Sequence, residues 1–289
     1  MGRTIVSGIA NGGIYGLLAV GLVLIYRGSR VLNFAQGELG TFGLFVASFA
    51  VKELHLPWIA AAAVALVVVG AIGYTFDALV VRRMADASRL SVAVATIGLL
   101  FLLLSVELKV FGVSPRILPV PVRGLGPRLF GFYVSPTYLL SLLVALALGF
   151  ALTAFLRRTD FGLGVLAAAQ DPTAVRLVGV PLRRVGSFTW VSASMIAVIA
   201  ALLIEPNIGS FVPGFMTLLF IYGLAAALIG GLRSLPGAFI GGIAVGLTQA
   251  IVGEIFSGSS FPHPELLALF MIVIAVLVFR PQGLLGGSD

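Results

Sequence analysis

Nine stretches of the chain are almost free of charge: Ile5 to Tyr26, Phe34 to Val51, Pro57 to Val81, Leu90 to Phe111, Pro136 to Leu156, Val185 to Ile204, Phe215 to Leu232, Pro236 to Gly253 and Leu266 to Phe279. A helix needs about 20 apolar residues to cross roughly 30 Å of hydrocarbon, and polar, Gly- or Pro-bearing breaks separate the runs. The pattern predicts an all-α polytopic transmembrane bundle of about nine spans. The second run reaches span length only by including Glu38, and the ninth is short, so eight spans stay open.

Composition agrees with this reading. Of 289 residues, 60% are hydrophobic and 10% charged, with a mean hydropathy of +1.14, whereas soluble domains carry roughly 25% charged residues. Lipid is therefore the expected solvent. The net charge of +7 does not point to nucleic acid, because the arginines sit singly or in pairs between apolar runs, without a basic stripe or a stacking platform. The absence of cysteine removes disulfides and thiolate chemistry. His55 and His263 are far apart, so neither a metal cluster nor a His-based hydrolase is indicated. No residues are expected to be catalytic. Lys52 and Lys109 lack the glycines and following hydroxyl of a P-loop, so the chain is not expected to hydrolyse ATP. The first run, Thr4 to Tyr26, is too long for a signal-peptide core and is read as retained.

With nine spans, alternate loops share a side. Arg27 and Arg30, Arg82, Arg83 and Arg89, the segment Arg157 to Arg184, Arg233 and Arg280 then fall together, which places 12 of the 18 lysines and arginines on one side. The positive-inside rule puts that side, and the C-terminus, in the cytoplasm and the N-terminus outside. Arg116, Arg123 and Arg128 are discordant. The chain reads as one domain, 1–289, with an external loop 112–135 and a cytoplasmic loop 157–184. The external loop holds Pro115, Pro119, Pro121 and Pro127 and cannot be continuous helix. It is either a structured surface for an outside partner or a connector.

In the cytoplasmic loop, Asp171 suits an N-cap, Pro172 the first helical position, and Gly179 the left-handed residue after a helix, with Pro181 beyond. The spacing predicts a helix from Pro172 to Val178, about 10 Å long. So short a helix is not stable alone, and Val175, Leu177 and Val178 offer it apolar groups to bury. It packs on its own membrane domain or docks into a groove of a cytoplasmic partner, with Arg176 free to meet a carboxylate. At the start of the second span, Asn33 and Gln36 fit a capping box and Glu38 complements the helix dipole. A carboxylate within a span is costly, and usually faces a partner or a watery path. Asn33, Gln36 and Glu38, with Asn11 and Tyr15 of the first span, are thus substrate-pathway candidates as well as structural residues. Gly12 and Gly16, and Gly237, Gly241 and Gly242, form small-xxx-small patterns that let helices approach closely.

Three blocks together resemble a known family, the LivH-type permeases of branched-chain amino acid ABC transporters. Asn11 to Tyr15 and Gly21 to Tyr26 lead into Asn33-Phe34-Ala35-Gln36-Gly37-Glu38; Ala169 to Gly179 is similar to the family's cytoplasmic loop; Gly230 to Ala238 with Gly241-Gly242 resembles its third block. Leu166 departs from a usual arginine, Val198 and Ala201 from two customary glycines, and Gln249 from a common glutamate. The resemblance implies a multi-pass subunit of an ATP-driven importer in the bacterial inner membrane. Its partners would be a second related permease, two cytoplasmic ATPases that bind ATP and Mg, and an extracytoplasmic solute-binding protein. It also implies that the helix after Asp171 couples ATPase closure to the spans, with a branched-chain amino acid or a related small solute as cargo. The rival reading is an ATP-independent channel or ion-coupled carrier centred on Glu38.

Overall fold

The computed structural model describes residues 1–84, 86–119, 122, 124, 126–129, 132–171, 175, 179, 181–258 and 262–285. Among them are ten α-helices: α1 (Gly2–Ser29), α2 (Gln36–Lys52), α3 (Trp58–Phe76), α4 (Arg89–Phe111), α5 (Pro136–Arg158), α6 (Asp160–Gln170), α7 (Leu182–Ile208), α8 (Met216–Gly230), α9 (Leu235–Ile255) and α10 (Pro264–Phe279). α3 runs on through a π turn (Asp77–Val81) and a 3-10 turn (Arg82–Met84). All nine apolar runs are helical. Six stretches are long and apolar enough to cross a membrane: α1, α3 with its continuation, α4, α5, α7 and α9. α2, α8 and α10 are shorter, at 17, 15 and 16 residues.

Local chemistry sets several helix starts. Ser88 Oγ accepts from the Ser91 N–H at 3.1 Å, Thr159 Oγ1 from Gly162 at 3.0 Å and Ser234 Oγ from Gly237 at 3.0 Å, each meeting a donor that has no partner inside its helix. Proline stands in the first turn of α5, α9 and α10, where its missing N–H costs nothing. The C-terminal segment serves the end of α8 in the same way, since Leu284 N–H donates to Ile229 O at 2.8 Å.

α1 is the centre of the bundle. The most apolar 18 residues of α1 are 89% buried, against 17% for those of α5. It lies closest to α9, where glycine meets glycine: a Cβ on Gly12 would stand 2.8 Å from both Gly242 O and Ile243 Cα, and one on Gly242 would collide with the Gly16 backbone. The small-residue patterns in these two runs are thus one helix–helix seam. Gly237 and Gly241 serve another contact, against Gly230 and Ala226 of α8. α2 packs on α7 through Gly40 and Gly43, which face Ala197 and Ala201, and Val198. The outward faces of α3, α5 and α10 expose Ile59, Phe150 and Phe279, as suits a surface solvated by lipid or covered by another subunit.

Three sequence expectations need correction. Asn33 does not cap α2: Ala35 holds the cap position, and Asn33 Oδ1 accepts instead from the Ala35 N–H at 3.0 Å. Phe34 and Ala35 form a turn closed by the bond from Gln36 N–H to Asn33 O at 3.3 Å, and this approach to α2 is anchored on α4, where Phe34 N–H donates to Thr96 Oγ1 at 3.1 Å. The seventh apolar run ends earlier than expected, at Gly230, where Gly231 takes a positive φ of 100°. The loop after α5 holds a helix that hydrophobic patterning does not show: α6 is capped by Thr159 and buries Gly162, Val165, Ala168 and Ala169, small residues that bring it close to its neighbours. The external segment is tied down. Arg128–Leu129 pairs antiparallel with Phe132–Tyr133, Arg116 and Phe211 exchange backbone bonds of 2.9 Å, and Leu118 N–H donates to Glu205 Oε1 at 3.1 Å.

One buried ion pair fixes the end of α3. Asp77, 2% exposed, accepts from Arg82 Nε and Nη2 at 2.9 and 2.8 Å and from Ser187 Oγ at 3.1 Å. Asp77→Ala strands the Arg82 guanidinium and is expected to cost about 3 kcal/mol, read as a lower Tm in detergent. Gly242→Val is expected to cost about 3 kcal/mol through overpacking and to lower the yield of monodisperse protein. Gly253→Val in the same helix is the control, because a Cβ there meets nothing within 4 Å.

Candidate functional site

Two groups of polar residues hold the pathway candidates. The first surrounds the start of α2, where six residues link the end of α1 to a helix that begins in the interior. Asn33, Gln36 and Glu38 are at most 1% exposed. Asn33 Nδ2 donates to Gln36 Oε1 at 3.2 Å, and Gln36 Nε2 donates to Ala193 O of α7 at 2.8 Å. Both side chains therefore have partners, as buried amides require. α8 also starts in the interior, with Met216 fully buried, and the Met216 N–H donates to Thr41 Oγ1 at 3.1 Å. The two starts touch: a Cβ on Gly37 would stand 2.8 Å from both Met216 O and Phe220 Cβ.

Glu38 lies at this junction and is not alone. Its carboxyl neighbours that of Glu107 on α4, with the Gly214 backbone beside both and Thr217 beside Glu38. Glu107 is fully buried. Glu38 Oε1 and both carboxyl oxygens of Glu107 lack a hydrogen-bond partner among the described residues. Sequence reading singled out Glu38 and missed Glu107, although an acid inside an apolar run carries the same signal in both cases. It also missed Thr41 and Thr96, whose hydroxyls are common in spans and gain meaning only from the unpaired N–H groups they meet.

The second cluster lies in the first half of α1. Tyr15 Oη donates to Gln249 Oε1 of α9 at 2.8 Å, and the Tyr15 ring lies 5.0 Å from that of Tyr222. Asn207 Nδ2 donates to Asn11 Oδ1 at 3.4 Å. Gly21 of α1 faces the Gln36 amide, so the Tyr15 cluster lies about 9 Å further along the α1 axis. The two sets of pathway candidates are therefore stacked along one helix and do not form a single pocket.

Cavities open beside each end of α1. One, of about 560 Å³, is lined by Arg3, Ser7, Tyr138 and Glu254 among others. The other, of about 680 Å³, is lined by Arg27, Arg30, Arg157, Arg233 and residues of α6. Between them every residue from Gly12 to Ile25 is buried. Ala169 and Gln170 at the end of α6 line the second cavity, and the candidate coupling segment follows them in the chain. Of its residues, Pro172, Arg176 and Leu177 lie outside the described residues. Asp171 O accepts from the Val175 N–H at 3.2 Å, Val175 is buried, and Gly179 has a φ of +82°.

Comparison with known proteins bears on this arrangement. Residues 4–279 match the family described as branched-chain amino acid transport system / permease component. The high-affinity branched-chain amino acid transport system permease protein BraD of Pseudomonas aeruginosa is 30% identical over 300 residues, covering 99% of this chain and 96% of that protein. A probable branched-chain amino acid transport permease protein LivH of Methanocaldococcus jannaschii is 29% identical, over 93% of this chain and 88% of its own length. LivH of Escherichia coli K12 is 27% identical, over 98% and 94%. Among solved structures, PsaBC from Streptococcus pneumoniae in complex with Fab aligns with 99% of this chain and 92% of its own at 14% identity and a TM-score of 0.47, a likeness too loose to bear on fold or function. The extent of the family match makes this chain a member of the branched-chain amino acid transport system permease components, a multi-pass membrane protein.

Proposed function

We propose that this chain is the membrane-spanning permease subunit of an ATP-driven ABC importer for branched-chain amino acids or closely related small solutes. The observation that carries the reading is the family match over residues 4–279. In this reading 1–289 is one permease domain. It works with a second related permease, two cytoplasmic ATPases that supply the ATP and Mg sites, and an extracytoplasmic binding protein, in the bacterial inner membrane. The segment 171–179 is the coupling element, supported by the helical bond from Val175 to Asp171 and the left-handed Gly179 that follows. Asn11 and Tyr15, and Asn33, Gln36 and Glu38, lie along the route that opens between the two permeases.

The way the arginines meet supports a reading of nine passes with the C-terminus inside. Arg27 donates to Arg233 O, Arg30 to Ala169 O, and Arg82 to Arg183 O at 3.5 Å, so these four loops share one end of the bundle. At the other end the N-terminal amine meets Glu254 at 3.0 Å. The arginine-rich end is the cytoplasmic one by the positive-inside rule.

Two experiments test the proposal. The chain has no cysteine, so single cysteines at exposed positions report orientation. Ser257→Cys should react with an impermeant maleimide in intact spheroplasts, and Ala87→Cys, in the exposed turn before α4, only after lysis; the reverse pattern overturns the topology. Arg176→Asp with Leu177→Asp should abolish ATP-dependent uptake by the assembled transporter while membrane insertion persists. Undiminished uptake rejects the coupling role. Transport by the purified chain alone in liposomes without ATP, lost in Glu38→Gln, would replace the importer reading with a carrier.

A further inference from the structure

The cavity at the arginine-rich end has a composition that the transport reading does not use. Four guanidiniums border it, from Arg27 and Arg30 at the end of α1, Arg157 in the last turn of α5 and Arg233 before α9, and no Asp or Glu is among its lining residues. None of the four forms an ion pair among the described residues. Arg27 experiences both Arg30 and Arg157 as nearby like charges. Guanidinium groups do not shed their protons at any physiological pH, so a bound anion, and not deprotonation, offsets this repulsion within the cavity.

Two of the four are held in place. Arg27 and Arg30 are half-buried, and each spends one Nη2 donor on a backbone carbonyl, of Arg233 and Ala169 respectively. A guanidinium has five N–H donors in a rigid fork, which leaves the others for the cavity. The first turn of α9, a 21-residue helix capped by Ser234, also borders it, adding the positive end of a helix dipole. At about 680 Å³ the cavity falls in the range of sites for organic ligands rather than bare ions. Part of its wall is apolar, from Leu156, Leu166 and Leu285.

We propose that this cavity binds a phosphate group, held by the guanidiniums of Arg27, Arg30, Arg157 and Arg233 at the start of α9. Phosphate offers several oxygens to paired N–H donors at once, the geometry for which arginine is suited. The group comes from an anionic phospholipid headgroup of the inner leaflet or from a free phosphate of the cytosol. The inference goes beyond the transport function and takes from it only the orientation that puts this end in the cytoplasm.

The test is ligand-dependent stability of the full chain in neutral detergent at constant ionic strength, with no transport measured, so that it fails or succeeds independently of the importer reading. The probes are inorganic phosphate, a short-chain phosphatidylglycerol and, as uncharged control, the matching phosphatidylcholine. The variants are Arg157→Gln and Arg233→Gln, because both side chains are exposed and the backbone carbonyl that receives Arg27 survives the second change. Arg3→Gln, at the opposite cavity, is the control. Stabilisation by phosphatidylglycerol and not by phosphatidylcholine, with apparent affinity about tenfold weaker in each variant and unchanged in Arg3→Gln, supports a lipid phosphate. The same pattern with inorganic phosphate supports a soluble one. No stabilisation by either probe overturns the proposal, as does stabilisation that survives in the Arg157→Gln, Arg233→Gln double variant or that falls equally in Arg3→Gln.

Discussion

A bilayer interior offers no water to satisfy backbone N–H and C=O groups, so a helix can begin there only where other protein groups receive its unpaired donors. Two helices of this chain begin in the buried interior, and much of its internal polarity is explained by that. Thr96 and Asn33 receive the N–H groups that lead into α2, and Thr41 receives the first N–H of α8. The three acceptors lie on α4, on the connecting segment and on α2, so each interior start is held by a neighbouring element. Gly37 then allows the two starts to touch. Without these hydroxyl and amide oxygens, the buried donors would each cost free energy comparable to a lost hydrogen bond.

The second constraint is the diameter of α1. Helices in lipid have no hydrophobic force pressing them together, so close packing must come from small residues. Gly12 and Gly16 let α9 lie against α1 backbone to backbone, and this makes α1 a buried axis rather than one lipid-facing span among others. The α2–α7 contact shows the same economy with the roles exchanged. Val198 and Ala201 of α7 bring side chains to this contact, and the space for them is found on α2, at Gly40 and Gly43.

How much of this is legible in the sequence depends on the range of the interaction. The nine helices follow from runs of apolar residues, which are local, and the α1–α9 seam follows from two glycine patterns of matching period. The end of the cytoplasmic loop is legible too, because only glycine is at ease with the positive φ found at Gly179. α6 is not legible, since 11 residues of modest hydrophobicity become a helix by lying on α5 and α1. The partnership of Glu38 with Glu107 spans almost seventy positions, and nothing local to either residue announces the other. Asp77 was hidden for a related reason: within an apolar run it reads as an interruption, and only Arg82 and Ser187 around it show it to be a lock.

The same contacts bear on how a movement at the arginine-rich end reaches the interior. α6 and the segment after it hang from α1 through the bond between Arg30 and Ala169 O. α1 passes directly into the six residues that carry Asn33, and Gln36 at the start of α2 is bonded to α7. α7 is also the helix that follows the loop. The loop is thus joined to the Asn33–Glu38 junction twice, once through α1 and once through α7. A displacement of the loop that moved one helix without the other would break the Gln36–Ala193 bond and leave the buried Gln36 amide N–H unpaired, at about 1–3 kcal/mol. The low-cost motion moves α1 and α7 together, as one body, and the bond from Phe34 N–H to Thr96 Oγ1 carries α4 with the junction.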